Sequence, residues 1–249
     1  MTVHFIGAGP GAFDLITVRG RDILAQCPVC LYAGSTVDQR LLDYCPVNVR
    51  AINTAALDLD ALKEEYQRAW LQGVDVARLH SGDLSIYSAL AEQLEVLEEL
   101  GIPYTITPGV PAFATASAVL QRELTVPEVA QSVVLTRLSG RASKMPEAER
   151  LEQFAASGAT LAIHLAIHRL AEIVERVQPF YGEECPVALV YRASWPEQRT
   201  LESTLGQVVA SFQAEPMERS VLILIGPALG QHANRKSALY RQGYCRRFR

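Results

Sequence analysis

Short apolar runs alternate along the chain with longer amphipathic stretches, and glycine-rich joints lie between them. The first run, Val3-His4-Phe5-Ile6, reads as a buried strand and leads directly into Gly7-Ala8-Gly9-Pro10-Gly11. After Phe13-Asp14-Leu15-Ile16, Thr17 is placed to cap a helix over about 18–26, with Arg19, Arg21 and Asp22 outward. Residues 29–32 predict a second strand. Residues 36–44 and 58–72 read as helices, the second with Leu59, Leu62, Tyr66 and Ala69 on one face. A strand at 74–79 runs into His80-Ser81-Gly82-Asp83-Leu84-Ser85-Ile86-Tyr87, and a helix follows to about Leu100 with Leu90, Leu94 and Leu97 inward. A strand at 104–106 ends in Thr107-Pro108-Gly109-Val110-Pro111, before a small apolar helix at 112–120.

This repeated order of strand, loop and helix predicts an α/β layer with a mostly parallel sheet over residues 1–120. The stretch 121–131, with Pro127 in it, breaks the pattern and reads as a linker. A second α/β domain is expected over 132–230, with strands at 132–137, 159–165, 186–192, 198–203 and 219–225. Its helices fall at about 147–157, 168–178 and 204–214. Ser194-Trp195-Pro196-Glu197 joins two of these strands by a connection short enough for an antiparallel hairpin, so the second sheet is expected to be mixed.

Composition narrows the classes. With 249 residues, 49% of them hydrophobic, the chain can bury two cores. A net charge of −4 gives the body no field for nucleic acid. The charge is uneven: His232–Arg249 holds six basic residues and no acidic one, so 231–249 reads as a solvated basic tail, or as an arm for an anionic partner. The five cysteines form no repeating frame. Cys27 and Cys30 have redox-motif spacing, but Cys27 ends a helix rather than opening one, so buried thiols are expected. No secretory signal and no apolar run of roughly 20 residues is seen, which predicts a cytoplasmic protein without a membrane segment. His164 and His168 are four apart but straddle a strand end and a helix start, so no metal site is expected. Trp70 and Trp195 read as packing residues, with a place lining the substrate cleft as the alternative for Trp195.

The chemistry centres on three loops at strand ends: 7–11, 80–84 and 107–111. Gly7-x-Gly9-x-x-Ala12 fits a dinucleotide fingerprint. Two features count against that reading. The following helix starts only at about 18, and Tyr32-Ala33-Gly34-Ser35 stands where a ribose-binding acid belongs. A Rossmann-type NAD or FAD oxidoreductase therefore stays as an alternative. As plain local structure, Asp83 or Ser85 would cap the next helix.

Taken in order and spacing, Gly7-Ala8-Gly9-Pro10-Gly11, Asp14-Leu15-Ile16-Thr17, Ser81-Gly82-Asp83 with Ile86-Tyr87, and Pro108-Gly109-Val110 resemble the tetrapyrrole methylase family, the class III S-adenosylmethionine-dependent methyltransferases. The resemblance runs to about Leu229. Within the family, Val190-Tyr191-Arg192-Ala193-Ser194-Trp195-Pro196-Glu197 resembles the precorrin-4 C11-methyltransferases of cobalamin synthesis. The resemblance implies a two-domain tetrapyrrole methylase fold, a homodimer, a precorrin substrate, and S-adenosyl-L-methionine folded in the cleft between the domains, with S-adenosyl-L-homocysteine as product. It assigns Gly9, Pro10 and Gly11 to the substrate side, with Pro10 also near the donor. Ser81, Gly82, Asp83, Ile86 and Tyr87 fall to the donor, as do Pro111 and Ala112. Leu165 and Ala193 fall to its adenine, and Pro227 to the same side. The substrate's many carboxylates call for cations, for which Arg122, Arg137 and Arg192 are the foremost candidates beside Arg141 and Lys144. The chain departs from the family pattern at Ala12-Phe13, which replace Asp-Pro, at Leu84, which replaces Pro, and at Ser88, which replaces Gly. No catalytic base is identifiable. Methylation of another corrin position or of uroporphyrinogen III, and a carrier that has lost catalysis, remain open alternatives.

Overall fold

The computed structural model describes residues 1–140 and 143–230; Arg141 and the basic tail fall outside the described residues. By internal packing the chain divides into two units. The first comprises Met1–Thr115 with Ala193–Pro196, and the second Ala116–Arg192 with Glu197 onward.

The first unit is built on β1 (Val3–Gly7), β2 (Val29–Tyr32), β3 (Arg50–Asn53), β4 (Val76–His80) and β5 (Tyr104–Thr107). They form one sheet in the order β3-β2-β4-β1-β5, with every pairing parallel. Such a sheet needs both faces covered, and the strands alternate accordingly. Val3, Phe5, Leu31 and Val76 face one core, with Leu62, Tyr66 and Ala69 of α2 (Leu59–Gln72) and Leu97 of α3 (Leu90–Leu100). Ile6, Cys30, Ala77 and Leu79 face the other, with Leu24 of α1 (Val18–Leu24). Thr17 caps α1 as predicted, its hydroxyl accepting from the Gly20 amide. Arg78 is buried in β4. Its Nε donates to Gln93 Oε1 at 2.9 Å and its Nη1 to Thr54 Oγ1 at 3.0 Å, while the Tyr66 hydroxyl donates to Gln93 at 3.1 Å. This network pins α2 and α3 to the sheet.

Several expectations change. The pattern missed β3 because it is an edge strand whose Ala51 and Asn53 face solvent. The helix expected at 36–44 is a 3-10 turn at Gln39–Tyr44. Leu59, at the start of α2, is 40% exposed, and Trp70 is 45% exposed rather than packed inside.

After α4 (Ala112–Leu120), the second unit carries β6 (Val133–Arg137), α5 (Leu151–Ala155), β7 (Thr160–His164), α6 (Leu170–Tyr181), β8 (Pro186–Tyr191), β9 (Arg199–Thr204), α7 (Val208–Ala214) and β10 (Val221–Ile225). The sheet order is β6-β7-β10-β8-β9, with β6 and β7 parallel and the other pairs antiparallel, the mixed sheet expected. The helix predicted over 147–157 splits into a 3-10 turn at Glu147–Glu149 and the short α5. The stretch 121–131 is held within this unit: the Thr160 hydroxyl donates to the Leu124 carbonyl at 2.7 Å, and Val126 pairs with Ala130. The division at 115/116 thus precedes the linker predicted from sequence. Among the described residues no helix is long and apolar enough to cross a membrane.

Candidate functional site

In the first unit, β1 lies between β4 and β5, and all three run the same way. Gly7 aligns with His80, and Ile6 with Thr107, so the three loops leave the sheet side by side at the carboxyl ends. The chain from β1 moves toward β2 on one side, and the chain from β4 moves to β5 on the other. Ligands of open α/β sheets bind where connections diverge in this way.

Backbone ties these loops together. The Ala8 amide donates to the His80 carbonyl at 2.7 Å, Gly82 N–H donates to the Gly9 carbonyl at 2.7 Å, and Gly9 N–H donates back to Gly82 at 3.2 Å. The chains cross where only glycine fits. A Cβ on Gly109 would stand 2.1 Å from the Gly82 carbonyl oxygen and 2.7 Å from Gly7 Cα.

Asp83 links the second loop to the third. Its Oδ2 accepts from the Gly109 amide at 2.8 Å, and its Oδ1 accepts from the Ser85 amide at 2.8 Å and from the Ser85 hydroxyl. Partial burial pushes this carboxyl's pKa up, but the bonds from Ser85, Gly109 and Leu84 outweigh it and hold the group below its ordinary value. Neither Asp83 nor Ser85 caps a helix, contrary to the local reading: α3 begins only at Leu90, with Ala89 before it and no side-chain cap. The intervening loop carries two non-glycine residues in left-handed conformation, Tyr87 at φ 53° and Ala89 at φ 49°. Such residues persist where the surroundings enforce them. Beneath the loop, burial and the charge of Arg78 push the His80 imidazole down to about 3, so it is neutral at physiological pH.

The first loop is gripped separately. Ala12 N–H donates to Ser194 Oγ at 2.9 Å, and Trp195 Nε1–H donates to the Pro10 carbonyl at 2.9 Å. The first unit therefore gathers Gly9, Pro10, Gly11, Gly82, Asp83 and Ala193. Ser81 and Tyr87 are exposed, Ile86 is half-buried, and Pro111 and Ala112 follow the Gly109 turn at the start of α4. Sequence reasoning missed Ser194 as a partner of the glycine loop. Its place beside Trp195 in the 190–197 motif was the available signal.

In the second unit, Leu165 follows β7 with φ 58° and is 72% exposed. Arg137 and Arg192 end β6 and follow β8 at that same end of the sheet. Pro227 follows β10, whose antiparallel register puts it at the opposite end from Leu165. The three arginines do not form one cluster. Arg122 donates to the Leu229 carbonyl at 3.2 Å, Arg137 to the Leu138 and Ser143 carbonyls at 3.2 Å each, and Arg192 lies 3.9 Å from Glu197. Lys144 is exposed. Among the described residues no His, Cys, Asp and Glu cluster has metal-binding geometry.

Comparison with known proteins follows the same lines. The chain is 59% identical to a precorrin-4 C(11)-methyltransferase of Sinorhizobium sp, across all of this chain and 98% of that protein. It is 38% identical to a cobalt-precorrin-4 C(11)-methyltransferase of Methanocaldococcus jannaschii, across 99% of this chain and 95% of the other. The X-ray structure of a cobalamin biosynthetic enzyme, cobalt precorrin-4 methyltransferase, matches the fold with a TM-score of 0.89 at 33% identity, covering 92% of this chain and 96% of that one. Residues 2–209 match the family described as Tetrapyrrole (Corrin/Porphyrin) Methylases, and with full-length relatives at this identity the chain belongs to that family.

Proposed function

We propose that this chain transfers a methyl group from S-adenosyl-L-methionine to C11 of precorrin-4, giving precorrin-5 and S-adenosyl-L-homocysteine in cobalamin synthesis. The observation that carries this reading is the 59% identity, over the full length, to a protein named for this reaction. The donor supplies a sulfonium-bound methyl that is already a strong electrophile. What remains for the protein is alignment and exclusion of water, from which most of the rate can come.

The three-loop crossing suits that task. It offers closely spaced backbone amides and carbonyls, the exposed Ser81 hydroxyl, and the apolar side chain of Ile86, a set that fits the amino-acid and ribose parts of the donor. Asp83 acts in this reading by fixing the Ser81–Asp83 and Pro108–Gly109 backbones against each other, since its oxygens are engaged by Ser85 and Gly109. Gly9, Pro10 and Gly11 face the tetrapyrrole. Arg122, Arg137 and Arg192 are assigned to its carboxylates.

Identity to the relative named for the metal-free substrate exceeds that to the cobalt-precorrin-4 relative, 59% against 38%, which favours precorrin-4 itself. Single-turnover assays with both forms decide between them. The reading includes a homodimer, which sedimentation equilibrium tests, and a cytoplasmic location. Calorimetric titration with S-adenosyl-L-homocysteine and with NAD tests the donor. Tight binding of the first is expected, and binding of NAD alone would overturn the proposal in favour of an oxidoreductase.

A further inference from the structure

We propose that Trp195 and Ser194 are positioning residues that set the shape of the Pro10 loop for the tetrapyrrole, an inference that rests on the assignment of Gly9–Gly11 to the substrate. The two side chains bracket Gly11. The indole N–H holds the carbonyl of Pro10 on one side, and the Ser194 hydroxyl holds the amide of Ala12 on the other, each at 2.9 Å. Residues 10–12 cannot shift without stretching one of these bonds. Gly11 completes the fit: a Cβ there would lie 2.3 Å from Trp195 Cδ1 and 2.9 Å from the Ala193 carbonyl oxygen. The edge of the indole therefore occupies the space that a side chain on the loop would fill.

The backbone around the motif is bent to make this possible. Arg192 at φ 45° and Ser194 at φ 68° are both left-handed. Such a conformation is strained for a residue other than glycine, and persists where neighbouring structure enforces it. A half-buried tryptophan that served packing alone would need neither that bend nor an N–H bond to the carbonyl at the loop's tip. The loop itself needs restraint, since Gly9 (φ 81°) and Gly11 leave it free to sample many shapes when unheld. A loop held in its binding shape spares the substrate the cost of ordering it, which affects affinity more than the chemical step. The segment 190–197 thereby gains a physical role. It acts on the substrate side through the Pro10 loop, while the donor is held chiefly by the other two loops.

The test compares Trp195→Phe and Ser194→Ala with the wild type in steady-state methyl transfer. A third protein carries 3-benzothienylalanine at position 195, which keeps the ring shape and replaces the N–H by sulfur. Loss of one such bond is expected to raise KM for precorrin-4 about fivefold in each. The expectation also has kcat and the S-adenosyl-L-homocysteine Kd moving less than about twofold, with the melting midpoint lowered by no more than about 4 °C, the scale of one lost bond. The benzothienyl protein should match Trp195→Phe, because the bond and not the ring volume is what has gone. An unchanged KM in all three would overturn the inference. So would a parallel fall in donor affinity and melting midpoint beyond those limits, which marks a merely structural role. Failure of the wild type to methylate precorrin-4 would instead sink the assignment of function, so the two failures are distinguishable.

Discussion

Asp83 shows what a single residue does here. A Gly-Asp pair after a strand was legible as a site feature, but its partner was not. Gly109 lies 26 residues away and meets Asp83 only because β4, β1 and β5 are neighbours. We expect Asp83→Ala to weaken S-adenosyl-L-homocysteine binding by about tenfold or more, the scale of a lost charge-assisted bond, with the circular dichroism spectrum unchanged. Unaltered affinity would mean that the loop has been misassigned. The pH dependence follows from the sign of the shift. The folded carboxyl titrates below its ordinary value, so its contribution is complete above the unfolded pKa of about 3.9 and fades as pH falls through the lower folded value. Melting curves of wild type and Asp83→Asn should therefore differ by a constant amount at neutral pH and converge in acid. Leu165 carries a second prediction at this scale. It is exposed, apolar and left-handed at once, a combination that stability alone does not favour. Leu165→Gly should raise stability by up to about 1 kcal/mol by relieving the backbone, while weakening donor-analogue binding. A loss of stability on chemical denaturation would contradict the first half, and unchanged affinity the second.

At the scale of elements, the proposed donor site is a crossing of three loops rather than any one of them. The glycines at 7, 82 and 109 were visible in the sequence; that they touch was not, because contact depends on strand order. The same dependence explains the displaced helix start. Ser81-Gly82-Asp83 reads locally as an N-terminal cap, yet α3 waits until Leu90 because Asp83 is engaged across the loops. The edge strand β3 escaped detection for lack of an apolar run, while the strands β1, β4 and β10 were legible because every position but His4 is buried. Gly109→Ala places a methyl 2.1 Å from the Gly82 carbonyl, and should destabilise by about 3 kcal/mol with loss of donor binding. Gly140→Ala, where nothing among the described residues lies within 4 Å, is the control and should stay within about 0.5 kcal/mol of wild type in denaturant midpoint. Equal effects of the two would show that the crossing is not tight.

For the whole molecule, two α/β units with a parallel and a mixed sheet followed from the alternation of strand, glycine joint and helix, and from the short connection at 194–197. The place of the division did not. Pro127 and the loss of periodicity suggested a linker, but Leu124 and the Val126–Ala130 pairing fasten that stretch to the second unit. The grouping of Ala193–Pro196 with the first unit was not readable beyond the 190–197 motif, since a connection of that length shows only that β8 and β9 pair. Family membership was legible because several glycine motifs recur at fixed spacing. The reaction itself is most directly tested by supplying the protein with precorrin-4 and S-adenosyl-L-methionine labelled with carbon-13 in its methyl group, then locating the label by NMR. One labelled methyl bonded to C11, with one equivalent of S-adenosyl-L-homocysteine released, is the expected result. Label at a different ring carbon, or none transferred by the folded protein, would contradict it.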